Sequence, residues 1–179
     1  MRDWLAVRAH GTPKAAALST AESPETSVTY DELNDRVETL AGRLAATGVC
    51  VGDPLAICAS TRCEFVTAVH AAQRLGAVLV PINARLTASE IEARLDRINP
   101  TAVVCEQETE DAVCSAVDDA ALTMDDPIAG AVALSALSPE PFDLPEWAPD
   151  DPLAVLFTSG TTGEPKGVVL TLANVLASA

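Results

Sequence analysis

The sequence predicts an α/β fold in which a largely parallel sheet lies between two layers of helices, a three-layer αβα arrangement. Short, continuous apolar runs at residues 54–59, 77–81 and 102–105 are partly β-branched, as expected for buried parallel strands. Segments with helical periodicity separate these runs, and this alternation predicts βαβ units with both faces of the sheet covered. Aromatic residues make up only 3% of the chain, so aliphatic side chains must build the core.

Helix starts are marked by Thr-x-x-Glu capping boxes, in which two side chains satisfy two free backbone N–H groups. Such boxes predict helices beginning at Thr29 with Glu32, Thr61 with Glu64, and Thr87 with Glu90. The first of these helices places Leu33, Val37, Leu40, Ala41 and Leu44 on one face. Weaker signals predict a helix over 3–9, a strand over 14–19, a helix over 110–117 and a last helix capped by Thr171.

The length of 179 residues fits one domain or a piece of a larger one. Residues 137–152 are rich in proline and predict an irregular surface connection. Residues 153–171 hold two apolar runs around a glycine-rich stretch, and they predict a strand pair joined by a loop.

The net charge is −15, and the acidic residues are scattered along the chain instead of forming one block. Scattered acids predict a uniformly acidic, solvated surface, as in proteins kept soluble in concentrated salt. With lysine so scarce, this composition predicts a halophilic archaeal protein. Nucleic-acid binding is disfavoured, because no basic face exists to neutralise phosphates.

The cysteines, at positions 50, 58, 63, 105 and 114, form no CxxC pair and have no histidines at metal-binding spacing. An odd number of cysteines without a signal peptide predicts reduced thiols in the cytoplasm. We also find no apolar run long enough to span a membrane, so neither secretion nor membrane insertion is expected.

Residues 158–168 are the most informative stretch, and they read Thr-Ser-Gly-Thr-Thr-Gly-Glu-Pro-Lys-Gly-Val. Glycines allow close backbone approach to a ligand, and free N–H groups with hydroxyls form an anion-binding concavity. Lys166 adds a point charge, and residues 98–165 contain no other Lys or Arg. We call residues 158–167 the phosphate loop; the candidate ligand-binding residues are Thr158, Ser159, Gly160, Thr161, Thr162, Gly163, Lys166 and Gly167. Lys166 is the catalytic candidate, and no metal ligand is predicted.

This stretch has two other interpretations, a solvated hairpin and a P-loop. A glycine-rich hairpin with solvated threonines would need no ligand, but eleven defined positions make this less probable than a binding loop. The P-loop of nucleotide triphosphatases requires Ser or Thr directly after the lysine, whereas Gly167 stands there. Apolar runs on both sides also predict strand-loop-strand instead of strand-loop-helix.

The phosphate loop strongly resembles the signature of the adenylate-forming enzymes, Ser/Thr-Ser-Gly-Ser/Thr-Thr-Gly-x-Pro-Lys-Gly. Residues 28–33, Val-Thr-Tyr-Asp-Glu-Leu, resemble an early segment of that family, and residues 75–86 resemble its second core motif. The resemblance implies the N-terminal part of that family's large domain, with the rest of it and the C-terminal domain absent. It also implies ATP and Mg²⁺ as cofactors, with coenzyme A and a small carboxylic acid as substrates.

The reaction implied by the resemblance has two steps: an acyl-adenylate forms with release of pyrophosphate, and a thiol then attacks the acyl carbonyl. Within the family, residues 1–5 and the second motif are most similar to the 2-succinylbenzoate–CoA ligases of menaquinone synthesis. Fatty acid ligases are the next choice. Many acyl-CoA ligases have a histidine where this chain has Leu172, which leaves that substrate contact open.

Because family members are roughly three times longer, independent catalysis by this chain is not expected. A separately encoded C-terminal part would complete a split ligase. The alternative is a non-catalytic remnant that binds nucleotide phosphates or a partner.

The remaining candidates favour structural roles. His70 lies among apolar residues of the second helix, His10 lies at a helix end, and Tyr30 lies at a helix start. Arg85 either faces substrate or caps a loop, and Trp147 anchors the proline-rich connection.

Overall fold

The computed structural model describes residues 3–20, 27–117, 121–158 and 165–178. Its helices are α1 (Trp4–Gly11), α2 (Tyr30–Ala45), α3 (Cys63–Leu75), α4 (Ala88–Ile98), α5 (Glu110–Cys114) and α6 (Leu172–Ser178). Its strands are β1 (Ala16–Ser19), β2 (Ser27–Thr29), β3 (Pro54–Cys58), β4 (Val78–Ile82), β5 (Ala102–Cys105), β6 (Leu122–Thr123), β7 (Val132–Ala133), β8 (Pro152–Thr158) and β9 (Lys166–Thr171). Single 3₁₀ turns cover Gln107–Thr109 and Leu134–Ala136.

Among the described residues, seven strands form one sheet in the order β7-β6-β5-β3-β4-β8-β9. Every neighbouring pair is parallel except β8 and β9, which are antiparallel. Strands β1 and β2 form a separate antiparallel ribbon. The predicted α/β fold with a largely parallel sheet is therefore confirmed.

The direction of the chain reverses at β4, and this reversal places helices on both faces of the sheet. From β3 the chain moves through α3 to β4, then returns through α4 to β5 on the far side of β3. Right-handed crossovers in opposite directions must use opposite faces. Accordingly Leu55 and Ile57 pack in the core under α2 and α3, whereas Ala56 and Cys58 pack in the core under α4.

Two of the predicted capping boxes are confirmed. The Thr29 hydroxyl accepts from the Glu32 N–H at 3.3 Å, and the Thr29 N–H donates to the Glu32 carboxylate at 2.9 Å. Thr87 and Glu90 make the same pair of bonds at 3.4 and 2.9 Å. These boxes fix the starts of α2 and α4.

The capping box predicted at Thr61 is wrong. Helix α3 begins at Cys63 after an extended Arg62, whose side chain does not cap it. The Glu64 carboxylate instead accepts from Arg62 Nε at 2.7 Å. Helix α3 starts later than predicted because of a long-range contact: Arg62, which is extended, pairs with Asp125 and so stays outside the helix.

Several short elements were missed or placed differently. Strands β2, β6 and β7 are two or three residues long, and no periodic pattern can be read over so few positions. Helix α5 ends at Cys114, before the predicted residue 117. Thr171 does cap α6: its hydroxyl accepts from the Asn174 N–H at 3.4 Å, and the Asn174 side chain accepts from the Thr171 N–H at 3.0 Å.

Residues 137–151 contain neither helix nor strand, yet they are packed against the helices. A Cβ at Gly42 would lie 2.8 Å from Pro139 Cβ, and one at Gly76 would lie 2.9 Å from Pro145 Cβ. The Glu140 N–H also donates to the Gly42 carbonyl at 3.0 Å. This segment connects β7 to β8 across the surface of the domain. In the described ranges we find no helix with the length and apolarity needed to cross a membrane.

Candidate phosphate-binding site

The phosphate loop leaves the sheet at the carboxyl ends of the parallel strands. Strand β8 runs parallel to β4, with Ala154 beside Leu79, and it ends at Thr158. In open α/β sheets, ligands bind outside this edge. Both strands of the predicted strand-loop-strand arrangement are therefore found, and Thr158 and Lys166, at the two ends of the loop, lie at the edge of the sheet where binding sites form.

The structure describes only the two ends of this loop. Ser159, Gly160, Thr161, Thr162 and Gly163 lie outside the described residues, together with Glu164. Thr158 is the last residue of β8, and Lys166 and Gly167 begin β9. Three of the eight candidate residues therefore lie within the described part of the chain.

Thr158 and Lys166 face each other across the strand pair. They are partners in the antiparallel register, and the Thr158 hydroxyl donates to the Lys166 carbonyl at 3.4 Å. Lys166 is exposed, and none of the ion pairs among the described residues involves it. Its ammonium group therefore has no carboxylate within ion-pair distance in the part of the chain that the structure describes.

Gly167 lies where the two strands pack closely. It lies opposite Phe157, and a Cβ built on it would lie 3.1 Å from Val155 Cγ1. A glycine within a strand often marks such a close approach. A Cβ here would require the Val155 side chain to shift by a few tenths of an ångström.

Helix α4 contacts both ends of the loop, which the sequence reasoning did not predict. Arg97 Nη1 donates to the Pro165 carbonyl at 3.1 Å. The Arg94 guanidinium lies over the Phe157 ring, 5.8 Å from its centroid. Residues three apart lie on one face of a helix, as Arg94 and Arg97 do. They are also the last basic residues before Lys166, so the sequence held a signal that both belong near the loop.

A cavity of about 200 Å³ lies between α4, β4 and the loop. Its walls include Asn83, Leu86, Arg94, Phe157, Thr158 and Pro165. Asn83 follows β4, so the wall of this cavity joins the carboxyl ends of β4 and β8. Arg85 is exposed, and its backbone N–H donates to the Asn83 side-chain oxygen at 3.0 Å. This bond stabilises the turn that follows β4.

A second polar cluster lies along the same edge, after β3, β5 and β6. Arg62 makes a two-pronged ion pair with Asp125. The buried Glu106 carboxylate accepts from the Ser60 N–H at 2.7 Å and from the Ser60 hydroxyl at 2.9 Å. The bond from Arg62 lowers the pKa of Asp125. Because these groups bond to one another, the cluster holds the ends of β3, β5 and β6 together.

The remaining candidates have structural surroundings. His70 lines a cavity of about 70 Å³ beside Trp4 and Trp147, and burial lowers its pKa. The Arg8 guanidinium lies 5.6 Å from the centre of the Tyr30 ring. The cysteines are free thiols, and burial raises the pKa of Cys58 to about 11 and that of Cys105 to about 12. Within the described ranges, no three His, Cys, Asp or Glu side chains are grouped so as to hold a metal ion.

Comparison with known proteins identifies the family. A family model described as AMP-binding enzyme matches residues 5–179, nearly the whole chain. The chain belongs to the AMP-binding enzyme family. The resemblance predicted from the phosphate loop and the two earlier segments is therefore confirmed.

The relatives are acid–CoA ligases, and they are longer than this chain. A 2-succinylbenzoate–CoA ligase of Bacillus cereus strain Q1 is 32% identical over 180 residues, which cover all of this chain and 34% of the ligase. The chain thus spans about a third of the length of the curated relatives it matches.

Solved structures agree with this placement. The o-succinylbenzoate–CoA synthetase of Bacillus subtilis, in complex with its acyl-adenylate intermediate, has a TM-score of 0.84 at 30% identity, covering 99% of this chain and 35% of that one. The same synthetase in complex with ATP and a magnesium ion has a TM-score of 0.82 at 29% identity, with 99% and 35% covered. The fold is therefore a partial N-terminal portion of an adenylate-forming enzyme.

Proposed function

We propose that this chain is the N-terminal part of an ATP-dependent acid–CoA ligase whose acid is 2-succinylbenzoate. The carboxylate displaces pyrophosphate from ATP to form an acyl-adenylate, and the thiol of coenzyme A then displaces AMP to form the thioester. The observation that carries this proposal is the phosphate loop at the carboxyl edge of the sheet, with Lys166 exposed at its end.

The described ends of the loop fit a polyphosphate. Lys166 supplies a cation without a carboxylate partner among the described residues, and Thr158 supplies a hydroxyl beside it. The signature residues between them, 159–164, supply further hydroxyl and amide groups, so the loop as a whole stabilises charge on departing pyrophosphate. When bound, Mg²⁺ would neutralise phosphate charge, held mainly by ATP oxygens as is usual for this ion.

The distribution of charge supports an anionic ligand at this place. The chain carries a net charge of −15, which repels polyphosphates in general. At the loop, however, Lys166 lies near Arg94 and Arg97, whose contacts reach Phe157 and Pro165. An acidic protein that binds ATP needs such a local group of cations.

The strand pair β8–β9 has an exposed apolar surface that a further segment of polypeptide could cover. Strand β9 is the last strand of the described sheet, and Leu156, Val168 and Val169 are 38%, 43% and 54% exposed. Leu156 pairs with Val168 and Val155 pairs with Val169, so apolar groups are exposed on both faces of the ribbon. We propose that the remaining part of the ligase, on the same chain or encoded separately, covers this ribbon. The acidic composition and free thiols support the cytoplasm of a halophile as its location.

Exchange of labelled pyrophosphate into ATP, dependent on the acid, tests the proposal in the ligase that contains these residues. We expect Lys166→Ala to lower the exchange rate at least tenfold, or about 1.4 kcal/mol of barrier, because one phosphate cation is lost. Lys14→Ala is the matched control, since Lys14 pairs with Asp31 away from the loop. Equal rates for the two variants would remove Lys166 from the mechanism, and exchange with fatty acids alone would overturn the choice of substrate.

A further inference from the structure

Two arginines of α4 contact the ends of the phosphate loop, and these contacts indicate a role for them that rests on the proposed function. We propose that Arg97, with Arg94 beside it, is a positioning residue that sets the geometry of the phosphate loop for ATP. Neither arginine is placed on the phosphates themselves. Both act through the two ends of the loop.

Arg97 fixes the end of the loop that carries the lysine. Its Nη1 donates to the carbonyl of Pro165, which directly precedes Lys166, the first residue of β9. Proline fixes its own φ and drives the residue before it into an extended conformation. Holding the Pro165 carbonyl therefore fixes the point where Lys166 and strand β9 begin.

Arg94 supports the other end. Its guanidinium lies 5.8 Å from the centre of the Phe157 ring, next to Thr158. A cation over an aromatic face is attracted by the ring, and the contact also limits how far the end of β8 can move. The two arginines thus hold residues 157 and 165, on either side of the loop, from one face of one helix.

Helix α4 is a rigid base for this arrangement. A full capping box at Thr87 and Glu90 fixes its start, and Ile91 and Leu95 on its inner side are 1% and 6% exposed. The residues that carry the guanidinium groups therefore have little freedom to shift. A loop rich in glycine has many conformations of its own, so external support of this kind favours the one that binds phosphate.

The test uses Arg97→Met, which keeps the apolar stem and removes the donor, and Arg97→Lys, which keeps a donor. Arg94→Met tests the other end, and Arg36→Met on α2 is the control with the same change of charge. Arg36 lines a different groove beside Thr39 and Met124. Two measurements are made: hydrogen exchange of the segment 158–168 in the chain without ligand, and KM for ATP and for the acid in pyrophosphate exchange.

We expect Arg97→Met to speed hydrogen exchange in 158–168 and to raise the KM for ATP about tenfold, with the KM for the acid within about twofold. Arg97→Lys should keep the hydrogen exchange and the KM for ATP close to their wild-type values. Arg94→Met should change both quantities in the same direction as Arg97→Met but by less, and Arg36→Met should leave both unchanged. The inference is overturned if Arg97→Met matches Arg36→Met, or if it raises both KM values equally. If the wild-type ligase shows no exchange at all, the proposed function fails instead, and faster hydrogen exchange in Arg97→Met would still support the structural role.

Discussion

At the scale of single residues, Glu110 shows best what the sequence does not reveal. Its carboxylate is fully buried, and it accepts N–H groups from Ile128 at 2.9 Å, Ala129 at 2.6 Å and Ala131 at 3.2 Å. Burial alone raises the pKa of this carboxyl, but these backbone bonds outweigh burial and hold the pKa below its usual value. A buried charge of this kind fixes the segment between β6 and β7.

We expect Glu110→Gln to lower the free energy of unfolding by about 1–3 kcal/mol, because a neutral amide oxygen accepts more weakly than a carboxylate and the amide NH₂ cannot accept the Ile128 N–H that now reaches Oε2. Urea unfolding at neutral pH measures the loss. The matched control is Glu108→Gln, since Glu108 is exposed two residues earlier and should change stability by less than about 0.5 kcal/mol. Similar losses in both variants would contradict the role given to Glu110.

The same carboxyl predicts a dependence on pH. Its pKa in the folded state lies below the ordinary value of 4.5, so its contribution is complete above that value. It is lost as the pH falls through the folded pKa. The difference in stability between wild type and Glu110→Gln should therefore shrink in acid, and a constant difference down to acid pH would show that folding does not shift the pKa of this carboxyl.

At the scale of elements, the sequence predicted what local chemistry decides. The starts of α2 and α4 follow from capping boxes, and β3 and β5 follow from continuous apolar runs. The start of α3 could not be predicted in this way, because Arg62 is held by Asp125, 63 positions later. Likewise the contacts of Arg94 and Arg97 with the loop depend on how α4 lies against β8, which no local pattern contains.

The two kinds of Thr-x-x-Glu pattern make opposite predictions for the same mutation. Thr29→Ala should lower the free energy of unfolding by about 1 kcal/mol, because it removes a working N-cap. Thr61→Ala should change it by less than about 0.5 kcal/mol, since Thr61 caps no helix here. Urea unfolding of the two variants checks this, and equal losses would mean that α3 begins at Thr61 after all.

At the scale of the whole molecule, the chain spans about a third of the length of its curated relatives, and apolar residues of the strand pair β8–β9 are exposed. The loop signature identified the family, because its nine specified positions are highly specific. It could not give the exposure of β9, which follows from the order of strands in the sheet. The position of residues 159–164 within the loop stays a prediction.

We expect Val168→Asp to change the stability of this chain by less than about 1 kcal/mol, because Val168 is already 43% exposed. It should nevertheless weaken assembly with the remaining part of a 2-succinylbenzoate–CoA ligase, since a buried carboxylate without a partner is costly. Val7→Asp is the control, as Val7 is 51% exposed on α1. Titration calorimetry measures assembly, and equal affinities for both variants would show that β9 stays uncovered.

The most direct measurement of the central claim is hydrogen exchange of this chain with and without MgATP. The account predicts slower exchange in 158–168 with ATP or with inorganic pyrophosphate, no change with adenosine, and loss of the effect in Lys166→Ala. ATP that protects some other segment, or none, or that protects 158–168 equally in Lys166→Ala, would contradict a phosphate site at this loop.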